Sequence, residues 1–338
     1  MNKKITIAID AMGGENAPKK NIEGLGIFLK KNKFKNDFNI LLYGKEKILK
    51  EELKKEKISD ARVKIIHAAD IVSDEETPLT AIKNSKNTSM WNSVKAQIDG
   101  NADITLSAGN TGVLFVISKM ILKMMNKVSR PALAGLWPSK KGMSVVLDLG
   151  ANIECSDKNL VDFANMGSSV FKALYPNETP KVALLNIGSE ELKGNEIIKN
   201  TYQKLNNNHN TNYEFKGYIE GNQLMNGDVN VIVADGFTGN VALKTAEGTA
   251  NFITAELKKA MTGNFFGKLS SLLNFINLNR FKKRLDPRLY NGAIFIGLDS
   301  PVIKSHGGTD YIGFSNSLSV CNKIIKGNLI EKIRNSIK

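Results

Sequence analysis

VIVADGFTGN (231–240) sets the reading of this chain. An apolar, β-branched run ends in a short loop of Asp, Gly, Thr and Asn, and a helix-forming stretch, VALKTAEG (241–248), follows at once. The same passage recurs at ITIAIDAMGG (5–14), ITLSAGNTG (104–112), VVLDLGAN (145–152) and ALLNIGSEELKGN (183–195). Loops of this kind aim backbone N–H groups and the positive end of a helix dipole at whatever lies in front of them, and a phosphate is the simplest occupant. The pattern predicts an α/β enzyme that handles phosphate.

Outward from these loops, short runs rich in Ile, Val and Leu recur at 5–10, 39–43, 62–67, 103–107, 143–148, 181–187, 229–234 and 293–297, with helical patterns between most of them. Such alternation implies right-handed βαβ crossovers and a mainly parallel sheet covered on both faces, a three-layer α/β/α arrangement. TNYEFKGYIEGN (211–222) alternates like an exposed or antiparallel strand, so a mixed sheet is expected. In an open parallel sheet ligands lie outside the carboxyl ends of the strands, where all five loops are expected to gather.

Bulk properties narrow the class. The 338 residues, 42% hydrophobic, suffice for one large domain, and no linker or repeat divides them. A net charge of +14 suits an acidic partner, whether carrier protein, anionic membrane or nucleic acid, or else a solvated surface rich in lysine. No RNA- or DNA-binding motif is present, so nucleic acid is not expected. Cys155 and Cys321 stand far apart without ligand-spaced histidines, which argues against a disulfide framework or a zinc site and fits a reducing cytosol. No signal peptide or membrane span is predicted.

SAGNTG is the sharpest local motif. Gly109 and Gly112 allow close backbone approach to a ligand, while Asn110 and Thr111 offer side-chain hydrogen bonds; the alternative is a tight turn with Asn110 or Thr111 as helix cap. DGFTGN repeats the theme with Asp235, Thr238, Gly239 and Asn240. IGSEELKGN adds Lys193, a point charge for phosphate or an oxyanion unless it merely pairs with Glu190 or Glu191. Asp10 and Asp148 end strands, where a carboxylate most often ties down loop N–H groups. No carboxylate cluster suggests a metal, and none is expected to be required. GxGxxG is absent, GLGIFL (24–29) sits in a helical pattern, and GNFFGKLS (263–270) only imitates a P-loop. Of His67, His209 and His306, only His306, in KSHGGTD, lies in a loop suited to a site.

The stretch 257–287 breaks the rhythm. Phe265, Leu269, Leu272, Leu273 and Ile276 fall at helical spacing with Phe266 beside them, and Arg280, Lys282, Lys283 and Arg284 follow. This amphipathic helical protrusion suits an anionic membrane or an acidic partner, or else core or dimer packing.

Together these motifs resemble the bacterial phosphate acyltransferases (acyl-ACP:phosphate acyltransferase, the PlsX family). The match extends almost end to end through DAMGGENAP (10–18), DEETPLTAIKNSKNTSM (74–90), SAGNTG, RPALAGLWP (130–138), LDLGAN (147–152), NIGSEELKGN (186–195), DGFTGNVALKTAEG (235–248) and LDPRLYNGAIFIGLDSPVIKSHGGTD (285–310). Glu15, Glu154 and Ser300-Pro301 depart from the family's usual residues. The resemblance implies a fold similar to isocitrate and isopropylmalate dehydrogenases and to phosphotransacetylase, and a cofactor-free homodimer. It also implies transfer of a fatty acyl group from acyl carrier protein to orthophosphate, giving acyl phosphate for phospholipid synthesis. A cytoplasmic enzyme held loosely at the inner face of the membrane, near a downstream membrane acyltransferase, is implied as well. On that reading Lys193 neutralises phosphate or the oxyanion, and Asn240 and Thr238 donate to the thioester carbonyl. The loop Ser107, Gly109, Asn110, Thr111 and Gly112 cradles phosphate or pantetheine. Asp10, Gly13, Gly14, Asn152, Asp235, Gly239 and His306 complete the expected substrate-binding set, and the residues of 265–284 named above form the membrane or carrier contact. Rival readings are a phosphotransacetylase-like or nicotinamide-dependent decarboxylating enzyme on the same scaffold, and a non-catalytic membrane-surface protein.

Overall fold

A computed structural model describes residues 4–33, 37–73, 76–78, 80, 85–207 and 212–337, with the side chains of Lys268 and Ser271 excepted. His209, residue 211 and part of the 74–90 motif lie outside the described residues.

One eleven-stranded sheet runs through the molecule in the order β3-β2-β1-β4-β11-β10-β5-β6-β9-β7-β8. The strands are β1 Ile5–Asp10, β2 Phe38–Gly44, β3 Val63–His67, β4 Ile104–Ser107, β5 Ala132–Ser139, β6 Gly142–Leu147, β7 Lys181–Asn186, β8 Glu214–Glu220, β9 Val231–Val233, β10 Ala293–Ile296 and β11 Val302–Lys304. All eight expected runs are strands. The sheet is mixed, as expected, but β8 is not its antiparallel member: it pairs parallel to β7 at the edge, and its alternation reflects one wet face. The antiparallel pairs are β5 with β6, β10 with β5 and β10 with β11. RPALAGLWP proves to supply β5, whose Ala-Gly-Leu run gives little β-branched signal.

Those reversals have a geometric consequence. The parallel set β3-β2-β1-β4-β11 and the parallel set β6-β9-β7-β8 point in opposite directions along the sheet. Adjacent strands are rotated by roughly 20° or a little more on average. Over the five steps from β4 to β9 an average twist of that size amounts to roughly a right angle between the two sets.

Helices cover both faces: α1 Lys19–Lys31, α2 Glu46–Lys55, α3 Ser89–Ile98, α4 Thr111–Leu122, α5 Asp157–Leu174, α6 Glu196–Asn207, α7 Gly236–Thr262, α8 Phe265–Leu273, α9 Phe275–Leu285, α10 Tyr311–Lys326 and α11 Leu329–Ser336. GLGIFL falls within α1. Two apolar layers result, one on each side of the sheet: Phe28, Phe38, Phe163, Phe171 and Phe314 anchor the first, and Leu114, Ile117, Val146, Ile232 and Phe295 lie in the second. The loop residues that opened the sequence reading cap these helices. Asn110 Oδ1 accepts from Val113 N (3.1 Å), Asp235 Oδ1 accepts from Thr238 N (2.7 Å), and Ser156 forms a reciprocal capping box with Asn159.

Only Gly236 and Gly239 of the 27 residues of α7 are buried; Ala242, Leu243 and Ala246 still pack on the second apolar layer, and beyond them the helix is mostly exposed. The apolar stripe predicted across 265–276 is divided between two helices, because Asn274 closes α8 and opens α9, its N–H and Nδ2 both turning back to Ser270 O. Phe265, Phe266, Leu269, Leu272, Leu273 and Ile276 are all exposed. The P-loop look-alike is the turn between α7 and α8, where Asn264 Oδ1 accepts from Gly267 N. No helix among the described residues is long and apolar enough to cross a membrane.

Candidate active site

The five loops form two groups. In the first, the turns after β1, β4 and β11 are laced together. Asp10, fully buried, accepts from Ser89 Oγ (2.6 Å) and Ser107 Oγ (2.7 Å), and Ser107 Oγ in turn accepts from Gly109 N (3.1 Å). Burial raises the Asp10 pKa against the opposing pull of both seryl hydroxyls and the Met12 and Gly13 amides. A side chain at Gly13 would overlap the Asp10 carboxylate and sit 2.8 Å from Gly109 N. Glycine is therefore what lets the β1 and β4 turns touch. Two buried lysines that sequence reading passed over complete the lacing. Lys304 Nζ donates to Ala108 O (3.3 Å) and Ser305 O, and Lys20 Nζ donates to Gly307 O. Their signal was position: one ends a strand before SHGG, the other follows GGENAP.

The long motif at 285–310 finds its use here. Arg288 bridges Asp286 (2.5 Å) and Asp310 (2.7 Å), and Asp310 caps α10 through Ile312 N and Gly313 N. Asn291 holds the next turn by accepting from His306 N (2.9 Å) and donating to Ser305 Oγ (2.9 Å). His306 Nδ1 accepts from Gly308 N (3.1 Å), which places the ring proton on Nε2. Desolvation, then the Lys304 ammonium, lower the His306 pKa. Protonating Nδ1 would forfeit the Gly308 bond, so this stabilisation is present above the ordinary histidine pKa and fades as pH falls through the lowered one. An NMR titration is expected to show His306 neutral at about pH 7 with a midpoint below 6.5; a midpoint above the ordinary histidine value would refute the placement.

The second group joins the turns after β6, β7 and β9. Asp148 is buried and accepts from Leu133 N (2.9 Å), Ala151 N (3.1 Å), Asn152 N (2.7 Å) and Asn152 Nδ2 (2.8 Å), while burial raises its pKa. Asp10 and Asp148 thus both tie loops together. Asn152 Nδ2 also reaches Pro131 O (2.7 Å). Thr238 Oγ1 donates to Asp235 Oδ2 (3.0 Å), and Asn240 Nδ2 donates one N–H to Leu149 O (3.1 Å). A primary amide carries two N–H groups, so the second is left for a ligand. Asn186 Nδ2 closes the Lys193 loop onto Gly188 O (3.1 Å) and Lys193 O (3.2 Å). Lys193 is exposed, and its ammonium pairs with neither Glu190 nor Glu191 among the described residues; Glu191 instead accepts from Tyr202 (3.0 Å).

Between these turns opens a cleft of about 970 Å³, walled in part by Ile153, Cys155, Asn195, Ile197, Asp235, Phe237 and Thr238. Neither Lys193 nor Asn240 lines it: in the chain Lys193 stands two residues before Asn195, and Asn240 two after Thr238. Gly109, Asn110, Thr111 and Gly112 belong to the other group and do not line this cleft. What spans the two groups is α7: it begins at Asp235 in the second, and its Lys244 and Glu247 lie within electrostatic reach of His306 in the first. No group of His, Cys, Asp and Glu suited to a metal occurs among the described residues.

Cys155, in the cleft wall, is buried and free. Burial and then the Asp148 charge push its pKa up to about 11, so it stays a thiol at neutral pH and is a poor nucleophile. Iodoacetamide at neutral pH is expected to leave activity intact; rapid inactivation that tracks Cys155 labelling would overturn this.

This arrangement, a mixed, mostly parallel sheet with helices on both faces, is an α/β fold shared with solved proteins. A phosphotransacetylase, EutD, from Staphylococcus aureus superposes with a TM-score of 0.60 at 15% identity, covering 96% of this chain and 95% of that one. A protein described as a putative 4-hydroxythreonine-4-phosphate dehydrogenase from Salmonella typhimurium superposes at 0.51 and 11% identity, covering 95% and 100%. The α/β fold expected from sequence is thereby met. The profile of the family "Fatty acid synthesis protein" matches residues 5–332, and the phosphate acyltransferase of Pelagibacter ubique is 66% identical over the full length of both chains. The chain belongs to the phosphate acyltransferase family.

Proposed function

We propose that this protein transfers a fatty acyl group from the thioester of acyl carrier protein to orthophosphate, releasing acyl phosphate for phospholipid synthesis. The observation that carries the reading is the second loop group. Phe237 and Thr238 at the amino end of α7 line one cleft together with Asn195; the half-used Asn240 amide follows Thr238 by two residues, and the Lys193 ammonium, unpaired among the described residues, precedes Asn195 by two. Phosphate attack on a thioester needs no enzyme nucleophile: it needs two anions, the phosphate and the oxyanion that develops on the carbonyl, held in place and neutralised until the carrier leaves as its thiol, and proximity alone supplies about 7–11 kcal/mol in well-aligned cases. A site rich in amides and hydroxyls, with its one cleft thiol protonated, suits that chemistry. Lys193 takes phosphate or the oxyanion, Asn240 donates to the carbonyl oxygen, and Thr238, through Asp235, fixes the helix end that presents them. The first group, from Asp10, Gly13 and Gly14 through Ser107–Gly112 to His306, approaches from further along α7 and holds the remaining part of the substrates. Phosphate-dependent consumption of palmitoyl-ACP tests the reading; consumption of acetyl-CoA in its place would support the phosphotransacetylase alternative.

The exposed Phe265, Phe266, Leu269, Leu272, Leu273 and Ile276, followed by Arg280, Lys282, Lys283 and Arg284, support contact with an anionic membrane surface or with the acidic carrier. A homodimer at the inner face of the membrane, feeding a membrane acyltransferase, fits such a surface. Binding to phosphatidylglycerol vesicles is expected and should weaken as salt rises; equal binding to neutral vesicles would remove the basic cluster from the account.

A further inference from the structure

We infer that the cleft of about 970 Å³ beside the amino end of α7 receives the hydrocarbon chain of the acyl donor, an inference that rests on the transferase reading above. Two observations point to an alkyl chain.

First, several of the uncharged polar groups of the wall, which also carries Arg130, Glu154 and Lys158, are committed to one another. Both Asp235 oxygens hold Thr238, Asn195 Oδ1 accepts from Ile198 N (2.9 Å), Ser129 Oγ accepts from Asn159 Nδ2 (2.6 Å), and Arg130 Nη1 donates to Glu154 O (2.7 Å). A chain of methylenes asks nothing of these bonded groups.

Second, three large apolar side chains in the same wall are left facing solvent: Ile153 at 73% exposure, Phe237 at 64% and Ile197 at 40%. They come from three different segments: the loop after β6 and the first turns of α7 and α6. An apolar patch assembled from separate segments around a concavity is the form of a hydrophobic-ligand site. The volume also exceeds by far what orthophosphate needs. Phe237 lies next to Thr238, so a chain seated here would leave its carbonyl carbon near the Thr238 to Asn240 turn.

The test uses the full-length protein and donors with acyl chains of four, eight, twelve and sixteen carbons. Ile197→Trp, which fills the cleft from an exposed position, is expected to lower kcat/KM at least tenfold for the sixteen-carbon donor and less than twofold for the four-carbon donor. Phe237→Ala should weaken binding of the fluorescent fatty acid cis-parinarate at least threefold relative to the unsubstituted protein, a readout independent of turnover. Equal loss at every chain length would assign the cleft to the part common to all donors and overturn the inference. Unchanged chain-length preference and unchanged parinarate binding would do so as well. Unsubstituted protein that consumes none of the donors with phosphate would instead sink the transferase reading, while parinarate binding would still report on the cleft.

Discussion

Replacing Lys193 with alanine is expected to lower turnover more than tenfold while leaving the fold intact, and Asn240→Ala is expected to do the same. The expectation for Lys193 follows from its setting. The ammonium sits on a loop closed by Asn186, is exposed, and forms no ion pair among the described residues. Its removal therefore takes away charge from the loop that leads to the cleft residue Asn195 without stranding a buried partner, and surface substitutions of that kind usually change stability by less than about 0.5 kcal/mol. If the charge meets phosphate or the tetrahedral oxyanion, the loss shows in kcat more than in stability. Lys193→Arg keeps the charge and should recover part of the rate.

Asn240 carries a competing structural role, because its amide holds Leu149 O at 3.1 Å. Loss of that single bond costs about 1 kcal/mol. The two roles separate by comparison: a variant destabilised by about that amount yet near-normal in turnover would make Asn240 a loop tie only, and a catalytic donor would show a rate loss far larger than its stability loss. Near-normal turnover in both variants would refute the assignment of these two residues to catalysis.

The sequence made the strands legible because β-branched runs bounded by Gly and Asn have few other uses, and it made the Asn110 cap legible because that residue stands directly before apolar helical spacing; the cap at Asp235 is seen only in the structure. Strand β5 was hidden: Ala132, Ala134 and Gly135 pack without β-branching, and periodicity is silent on them. Direction was hidden too. β8 alternates like an antiparallel edge, yet nothing in residues 214–220 records which way β7 runs beside it. The division of the five loops into two groups depends on the reversals at β5, β6 and β10, which are long-range pairings and leave no trace in any one loop. The same holds for Lys20 and Lys304. A lysine in a Gly-rich stretch reads as solvated until a carbonyl from another loop, such as Ala108 O, is known to face it.

The largest structural effect is expected at Gly239. The amino end of α7 rests on the turn after β6 with backbone against backbone: a methyl group at Gly239 would overlap the Asp148 carbonyl oxygen, and one at Gly236 would overlap that of Asn152. The Asp148 turn cannot yield easily, since its carboxylate is held by three backbone N–H groups and the Asn152 amide. The helix must therefore move, and with it the Thr238–Asp235 cap and the Asn240–Leu149 bond. Overpacking of this sort costs about 1–3 kcal/mol, and displacement of a positioning group by about 1 Å can cost 100-fold in rate. Gly239→Ala is accordingly expected to lose roughly 3 kcal/mol in urea unfolding and about 100-fold in turnover. Gly248→Ala is the matched control on the same helix. Nothing lies within 4 Å of its would-be methyl group. Alanine in a helix interior is favoured over glycine by about 0.5–1 kcal/mol, so that variant should be more stable and fully active. Two variants with the same chemical change on one helix would then shift stability in opposite directions. If Gly239→Ala instead matched Gly248→Ala in both measurements, the close seat of α7 on the Asp148 turn would not be what positions Thr238 and Asn240.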